Sequence, residues 1–455
     1  MRLTYFRAAV LPLLLLVCLL PACRRQQADG VALVGATLID GSGGPALPDA
    51  AVVVRRGRIE SIGTKAGFEL PPLTVRVDVT GRWIIPGLID AHAHVARWAL
   101  PRYLAWGVTT VRDTHGELDS ILDLRSQVNL GSVRGPRIYS AGAMIDGLPT
   151  TYPTAIGANS TRDARQAVDR LVNGGADLIK VFTRIDPKLL EAVIDEAKTF
   201  NLRVTGHLGL TDAVTAARAG ISSIEHLSGV PEACLADPSS LYAAHYRGFF
   251  PGLTAFERSW AGLDSAALDR VAGELARRRV MMVPTLVLHE TFSRMDDPAL
   301  LQDSALRAVP QLELQRWNVP DMVRRAGWTE TDFAAFREAR PKQDLFLRRF
   351  AAQGGRIATG TDASNQLLIP GYSEHRELQL LVAAGLSPRD ALQAATRSGA
   401  LLLGVDSLGL LAPGKVADLV ILTGDPLADI GNTLAIDRIM SRGHLMSADS
   451  IRAAW

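Results

Sequence analysis

Two histidines stand two residues apart at the end of an apolar run in the segment IIPGLIDAHAHV, residues 84–95. If this run is a β-strand, His92, His94 and Asp90 lie on one face, because alternate residues of a strand point to the same side. A single buried histidine is usually a hydrogen-bonded core residue. Two histidines on one face at a strand end suggest a metal site, because neutral imidazole is the commonest metal-binding side chain.

Eight strand-like segments lie in the region that would carry these histidines, residues 86–403, and helical patterns separate most of them. One such pattern, PKLLEAVIDEAKTFN, predicts a helix that begins at Pro187. Alternating strands and helices predict an α/β fold, a (β/α)₈ TIM-like barrel with its active site at the carboxyl ends of the strands. The predicted strands are 87–94, 107–113, 136–142, 177–182, 202–208, 222–228, 280–288 and 356–363.

The remaining parts of the chain have other patterns. Residues 31–85 and 404–445 are rich in Val, Ile and turn residues, so we expect both to contribute to one small β-sandwich domain. Within the barrel region, the stretches 231–279 and 289–355 are too long for simple crossovers. They predict inserted helices that either wall the barrel mouth or pack outside it.

Six polar residues fall near the carboxyl ends of the predicted barrel strands. Lys180 is flanked by Ile179 and Val181, where burial of an ammonium ion is costly. A neutral amine at this position can react with carbon dioxide and form an anionic carbamate that bridges two metal ions. The six residues are His92, His94, Lys180, His207, His226 and Asp362.

Together with the motifs PGLIDAHAH, GVTTVRD, IKVF, SIEHL, GTDAS and LAPGKVADLVIL, these residues resemble the amidohydrolase superfamily. The resemblance covers residues 31–445 and is nearest to the imidazolonepropionase-like, prolidase-type branch with a binuclear metal site. It implies a more buried ion bound by His92, His94 and Asp362. A second ion would be bound by His207 and His226, with carboxylated Lys180 bridging the two. Such ligands make Zn²⁺ the expected metal, with Mn²⁺ or Co²⁺ as alternatives.

The resemblance also implies a metal-dependent hydrolase that cleaves an amide-type C–N bond of a dipeptide or N-acyl amino acid with a metal-bridging hydroxide. Asp362 would be the catalytic proton carrier. The same hydroxide attacks lactones, carboxyl esters and phosphotriesters, so these activities stay open. Deaminases of the superfamily mostly use one metal, which disfavours that activity. A non-catalytic surface binding protein is disfavoured because all six ligands are present.

Residues just beyond five of the strands are candidates for binding the small-molecule substrate, because such loops line the mouth of a barrel. Arg184 could pair with a substrate carboxylate. Each candidate is equally typical of a solvated loop. His245, His375 and His444 fall away from the strand ends, and we interpret them as structural. The candidates are His115, Tyr152, Arg184, His289 and Asn365.

The first 23 residues have the composition of an export signal. Arg2 and Arg7 precede an apolar stretch, residues 8–20, that is short for a membrane span. Its end, LPAC, resembles a bacterial lipoprotein signal peptide with a lipobox, in which Cys23 is lipidated. Ordinary signal-peptide cleavage or a simple anchor is the alternative. We therefore expect an exported protein, lipid-anchored at a bacterial membrane and facing the periplasm or cell exterior.

Composition limits the other partners. The formal charge of the 455-residue chain is only +2, so nothing suggests nucleic-acid binding by electrostatics. Cys18 would leave with the signal and Cys23 would carry lipid, so Cys234 would remain as a single thiol and no intramolecular disulfide is expected. Assembly into a homo-oligomer stays open.

Overall fold

The structure is a computed structural model, and it describes residues 30–455. The predicted signal segment, including Cys18 and Cys23, lies outside the described residues. Within residues 30–455, no helix combines the length and the apolar character that crossing a membrane would require.

The strands fall into three sheets, one antiparallel-rich and two parallel. In chain order they are β1 (Gly30–Leu38), β2 (Leu47–Arg55), β3 (Arg58–Thr64), β4 (Thr74–Asp78), β5 (Trp83–Pro86), β6 (Leu88–Ala93), β7 (Val108–Asp113), β8 (Arg137–Ser140), β9 (Ile145–Gly147), β10 (Ile156–Ala158), β11 (Ile179–Val181), β12 (Val204–Gly206), β13 (Ser223–Glu225), β14 (Met281–Val283), β15 (Arg356–Ile357), β16 (Leu419–Leu422), β17 (Ile436–Ser441) and β18 (His444–Ser447).

Most helices lie between the first and the last strand of the parallel sheets. They are α1 (Leu100–Ala105), α2 (Leu118–Asn129), α3 (Thr161–Gly174), α4 (Pro187–Thr199), α5 (Ala213–Ala219), α6 (Val230–Cys234), α7 (Ser239–Arg247), α8 (Phe249–Ser259), α9 (Ser265–Arg277), α10 (Leu286–Ser293), α11 (Gln311–Arg316), α12 (Val319–Ala326), α13 (Glu330–Ala352), α14 (Tyr372–Ala383), α15 (Pro388–Gln393), α16 (Gly399–Leu403) and α17 (Ala448–Arg452). As predicted, α4 begins at Pro187, where the Asp186 side chain accepts a hydrogen bond from the backbone N–H of Leu189.

Both ends of the described chain build the eight-stranded sheet, whose order is β18-β17-β16-β5-β1-β2-β3, with β4 beside β1. The junction is the antiparallel pair of β5 and β16, in which Ile84 lies opposite Ile421. Their side chains belong to a buried apolar cluster that is separate from the large cluster around the parallel strands. The division into domains at residues 85/86 and 403/404 stays a prediction.

The parallel strands form the sheets β6-β7-β8 and β10-β9-β11-β12-β13-β14-β15. Backbone hydrogen bonds also cross between these sheets at two edges. The Ala91 N–H donates to the Thr359 carbonyl at 3.0 Å, and the Asp177 N–H donates to the Ser140 carbonyl at 2.8 Å. The fold is therefore mixed α/β, with the carboxyl ends of β6, β11, β12, β13 and β15 pointing to one side.

All eight predicted strands are longer than the regular strands of the structure, and two of them end early for a specific backbone reason. The predicted strand 280–288 is extended only over β14, because Pro284 offers no N–H for the ladder and Thr285 has a left-handed backbone, φ 49°, from which α10 starts. The predicted strand 356–363 is regular only over β15. Its continuation bends at Asp362, whose φ is 61°.

The inserted stretches take both of the positions that were predicted as alternatives. Helices α8, α10 and α12 line the cavity at the strand ends, through residues such as Phe249, Phe292 and Met322. Helices α9 and α13 instead pack against each other away from the cavity lining, and α13 buries Phe346 and Phe350. The insertions therefore combine a wall of the cavity with helices that pack behind it.

Candidate metal centre

A cavity of about 450 Å³ opens at the carboxyl ends of the parallel strands, and all six predicted metal ligands line it. They arrive from five different strand ends, β6, β11, β12, β13 and β15. The geometry of the six residues is the first requirement for any metal chemistry in this cavity.

Asp362 is the point on which the histidines converge. Its Oδ1 atom lies 3.0 Å from His92 Nε2 and 2.9 Å from His94 Nε2. His226 joins this group, because ligand atoms of His92, His226 and Asp362 all lie within 4.8 Å of one another. Burial opposes ionisation of Asp362, but His94 and His92 outweigh it and hold the pKa of the carboxyl well below its ordinary value. Asp362 is therefore a carboxylate.

The outer nitrogen of each of these histidines has its own partner. His92 Nδ1 lies 2.6 Å from a carboxylate oxygen of Glu225, and His94 Nδ1 lies 3.1 Å from the His115 carbonyl. His226 Nδ1 lies 2.7 Å from the Thr285 hydroxyl oxygen, and that hydroxyl donates its proton to the Pro284 carbonyl. Each partner atom is an acceptor, so each Nδ1 carries the proton in the neutral ring and each Nε2 keeps a lone pair.

These tautomers make the donor set suitable for a metal ion. Burial lowers the pKa of His94, but Asp362 outweighs it and raises that pKa above its ordinary value. The space between the histidine Nε2 atoms and Asp362 Oδ1 therefore favours a cation, either a proton or a metal ion that takes its place. Imidazole nitrogens with outer hydrogen bonds, together with a carboxylate, are the ligand set typical of protein-bound Zn²⁺. The residues present therefore fit a divalent metal.

Lys180 and His207 lie on the adjoining side of the cavity. Lys180 is 2% exposed, and its amine makes no hydrogen bond or ion pair with any residue in 30–455. Burial lowers the pKa of Lys180 to about 8, so a neutral amine is accessible near neutral pH. The His207 ring lies 4.8 Å from the His226 ring, and burial keeps its pKa well below the ordinary value. Both side chains are thus suited to act as neutral nucleophiles or ligands.

Sequence reasoning missed Glu225, although the residue stands inside the motif SIEHL. Its buried carboxylate accepts a hydrogen bond from Arg112 at 2.7 Å and further bonds from Thr205 and Ser223. Burial opposes ionisation, yet Arg112 and His92 hold the pKa of Glu225 well below its ordinary value. The carboxylate therefore orients His92 as a charged hydrogen-bond acceptor.

A left-handed backbone explains why Glu225 was missed. In a regular strand, neighbours such as Glu225 and His226 point to opposite faces. His226 and Leu227 have φ values of 59° and 57°, so the strand alternation ends at His226. The side chains of Glu225 and His226 therefore both reach the His92 ring. Such conformations are costly for residues other than glycine and are concentrated at functional sites.

Two of the five substrate candidates contact the metal-site residues. Asn365 donates a hydrogen bond of 2.7 Å to Asp362 Oδ2. His115 accepts the Met144 N–H at Nδ1 and donates from Nε2 to the Thr154 hydroxyl, while its carbonyl accepts from His94. Burial lowers the pKa of His115 to about 4, so this ring stays neutral. The contacts show that both residues orient neighbouring groups of the site.

The other candidates divide into those inside and outside the cavity. Tyr152 and His289 line it, but Arg184 does not. The Arg184 guanidinium is held by the carbonyls of Pro149 and Tyr246, which takes it away from a substrate carboxylate in the cavity. His245, interpreted above as structural, does line the cavity and is paired with Glu232 at 2.9 Å. Its placement follows from the inserted helix α7, which sequence reasoning did not position.

The far wall of the cavity is aromatic. Phe182 follows β11, and its ring stacks 6.5 Å from that of Phe249 on α8. Tyr152 lies against both rings, at 5.5 Å and 5.7 Å. Phe256 and Phe292 extend this wall on α8 and α10. A polar floor of histidine, lysine and aspartate side chains and an apolar wall are therefore combined in one cavity, as in many small-molecule sites.

The family model described as the amidohydrolase family matches residues 83–446. The match spans most of the chain and includes all six clustered residues, so this chain belongs to the amidohydrolase family. The superfamily resemblance found in the sequence is confirmed.

Comparison with individual proteins agrees with this assignment. Imidazolonepropionase from Pseudomonas putida is 26% identical over 425 residues, covering 88% of this chain and 95% of that protein. Bottromycin amidohydrolase has a similar structure, with a TM-score of 0.74 and 23% identity, covering 94% of this chain and 90% of that one. A Xaa-Pro dipeptidase has a TM-score of 0.67 and 21% identity, covering 92% of this chain and 100% of that one. The chain is a metal-dependent hydrolase that acts on carbon–nitrogen bonds.

Proposed function

We propose that the protein hydrolyses an amide-type C–N bond of a dipeptide or an N-acyl amino acid. The observation that carries this proposal is the convergence of His92 and His94 on one oxygen of Asp362, beside Lys180, in a cavity with an aromatic wall. Two divalent ions, expected to be Zn²⁺, would be held by His92, His94, Lys180 as its carbamate, His207, His226 and Asp362.

Bound ions would supply Lewis-acid chemistry, which acidifies water and polarises an acyl carbonyl. The chain itself would move the proton. Asp362 is the proposed carrier, taking a proton from the attacking water and returning it to the leaving nitrogen. Asn365 restrains the carboxylate by its hydrogen bond to Oδ2, which leaves Oδ1 on the side of the two histidines. The aromatic wall would exclude water and bind an apolar part of the substrate.

The proposal extends to the fold that positions these residues. We propose that the two parallel sheets form one closed (β/α)₈ barrel. The hydrogen bonds from Ala91 to Thr359 and from Asp177 to Ser140 support this closure, and so does the likeness to solved amidohydrolase structures. In such a barrel, residues from distant parts of the chain meet at one mouth.

Metal analysis and a substrate screen test the proposed function. We expect about two ions per chain in the purified protein and loss of bound metal in Lys180→Ala. His444→Gln, an exposed residue of β18, is the control and should keep both ions. Incubation with ¹³C-bicarbonate followed by NMR tests the carbamate. A correctly folded wild-type protein that binds no divalent metal would refute the proposal.

The screen uses dipeptides, N-acyl amino acids, lactones, carboxyl esters and phosphotriesters with the metal-loaded protein. Turnover of the amide classes with loss of activity in Asp362→Asn is the expected result. Turnover of esters alone would contradict the amide assignment while leaving the metal centre intact.

We also propose export and lipidation at Cys23, on the basis of the LPAC segment. Labelled palmitate should be incorporated by the wild-type chain and not by Cys23→Ser, which should leave the membrane fraction. Labelling of the serine variant to the same level would contradict lipidation.

A further inference from the structure

A buried polar chain runs into the aromatic wall of the cavity from outside it. Gln343 on α13 donates a hydrogen bond of 3.2 Å to Glu257 Oε2 on α8. The other oxygen of Glu257 lies 2.5 Å from His289 Nδ1 on α10. Gln343 and Glu257 are each 1% exposed, and only His289, at 5%, lines the cavity.

The surroundings of His289 are apolar. Phe256 lies 6.2 Å from the imidazole, measured between ring centroids, and Leu288 and Phe292 line the same part of the cavity. His289 Nε2 is buried and has no hydrogen-bond partner among the described residues. A buried polar atom without a partner costs about 1–3 kcal/mol, so a partner supplied by a bound molecule would stabilise the complex.

The charge of the Glu257–His289 pair indicates which kind of ligand atom fits beside His289 Nε2. The Glu257 carboxylate accepts at both oxygens, so His289 Nδ1 carries a proton. Within residues 30–455, no cationic group other than His289 lies within 4.0 Å of Glu257. A buried carboxylate is stabilised by an adjacent cation. The Glu257–His289 pair has no net charge when His289 carries a proton on both nitrogens, and Nε2 is then a hydrogen-bond donor.

We propose that His289 determines specificity by donating a hydrogen bond from Nε2 to a neutral oxygen, such as a carbonyl, on the apolar arm of the substrate. The inference rests on the proposed function and adds the chemistry of the substrate end that is remote from the cleaved bond. An anionic oxygen fits less well, because the Glu257–His289 pair is already neutral and a buried net charge would result.

Two matched ligands test this inference without turnover. Both are ketomethylene analogues of N-benzoylglycine, in which a CH₂ group replaces the amide N–H so that no C–N bond can be cleaved. One carries a para-acetyl group and the other a para-isopropenyl group of nearly the same shape without the oxygen. Isothermal titration calorimetry with the metal-loaded protein measures both dissociation constants.

We expect the wild-type protein to bind the acetyl ligand about 10-fold or more tightly than the isopropenyl ligand, as for a hydrogen bond to a charged donor. His289→Phe should reduce this ratio to within about twofold of one, and His289→Gln, which retains a donor, should restore part of it. Leu288→Met, in the same wall, is the control and should keep the wild-type ratio. Glu257→Gln provides a second route, because loss of the carboxylate should weaken the preference even if His289→Phe does not fold.

A wild-type ratio within about twofold of one would overturn the inference, and so would an unchanged ratio in folded His289→Phe. Failure of the proposed function has a different signature. In that case no amide substrate is hydrolysed, while the preference for the acetyl ligand and its dependence on His289 are still measured.

Discussion

Two buried networks that contain acidic side chains lie near the strand ends, and they differ in whether a cation compensates the acidic groups. The Glu225 network consists of Glu225, Arg112, Thr205, Ser223 and His92. Glu225 is fully buried, and the Arg112 guanidinium pairs with it at 2.7 Å. Its pKa therefore lies well below the ordinary value despite burial. This network keeps a permanent negative charge directly behind a proposed metal ligand.

The acidic cluster consists of Asp90, Glu374 and Glu377. In the described part of the chain, none of the three has an ion-pair partner within 4.0 Å. Burial raises the pKa of Glu377 to about 7 and that of Glu374 well above its ordinary value, and nearby Asp90 adds to the rise at Glu374. Carboxyl groups of this kind hold protons in the native state and act as neutral hydrogen-bonding groups. Similar residue types thus serve opposite electrostatic roles in one molecule.

The largest expected effect is that of Glu225→Gln. The substitution leaves the Arg112 charge buried without compensation and removes the carboxylate behind His92, so we expect metal affinity to fall about 10–100-fold. The free energy of unfolding should fall by about 3–5 kcal/mol. Metal titration and urea denaturation measure the two changes. Glu274→Gln, which breaks surface pairs with Arg277 and Arg278, should change stability by less than about 1 kcal/mol.

Arg112→Met breaks the same network from its other side. We expect a loss of about 3 kcal/mol in the free energy of unfolding, because Glu225 loses its cation. The double variant Arg112→Met/Glu225→Gln should be more stable than the sum of the two single changes predicts. Additive losses in the double-mutant cycle would show that the two charges are not coupled.

Glu377→Gln should change the pH dependence of stability. The pKa of Glu377 is about 7 in the folded protein and 4.5 in the reference state, so the native state binds the proton more tightly. Wild-type stability therefore falls as pH rises from about 4.5 to 7, by on the order of 3 kcal/mol from this group. In Glu377→Gln this part of the decline should be absent in denaturation series across that range. An unchanged dependence of stability on pH would show that Glu377 is ionised in the folded protein, as Glu225 is.

The smallest effect is expected for Glu374→Gln. At neutral pH the wild-type side chain holds a proton, and a glutamine amide can still accept the hydrogen bond that Thr359 gives to Oε1. We expect a change of less than about 1 kcal/mol in the free energy of unfolding at pH 7. A loss as large as that of Glu225→Gln would remove the distinction between the two groups.

The parts of the site that sequence reasoning predicted are those that depend on regular strands. The positions of proposed ligands such as His92 and His207 follow from strand order, because the carboxyl ends of successive parallel strands meet at one edge. Glu225 depends on a left-handed residue next to it, and the contact of Glu257 with His289 joins two helices of inserted stretches. Neither has a periodic signal in the sequence. The end of the predicted strand 280–288 was misplaced because the left-handed backbone of Thr285 likewise leaves no periodic signal in the sequence.

The pairing of β5 with β16 has a consequence for how the chain folds. Residues 83–86 find their antiparallel partner only at residues 419–422, after the whole set of parallel strands. Until residues 419–422 have been synthesised, the β5 edge of the first five strands has no partner. Unpaired edges are templates for association with other chains. Such long-range closure also slows folding. Pairing of β16 with β5 thus covers the strand edge that the first part of the chain leaves exposed.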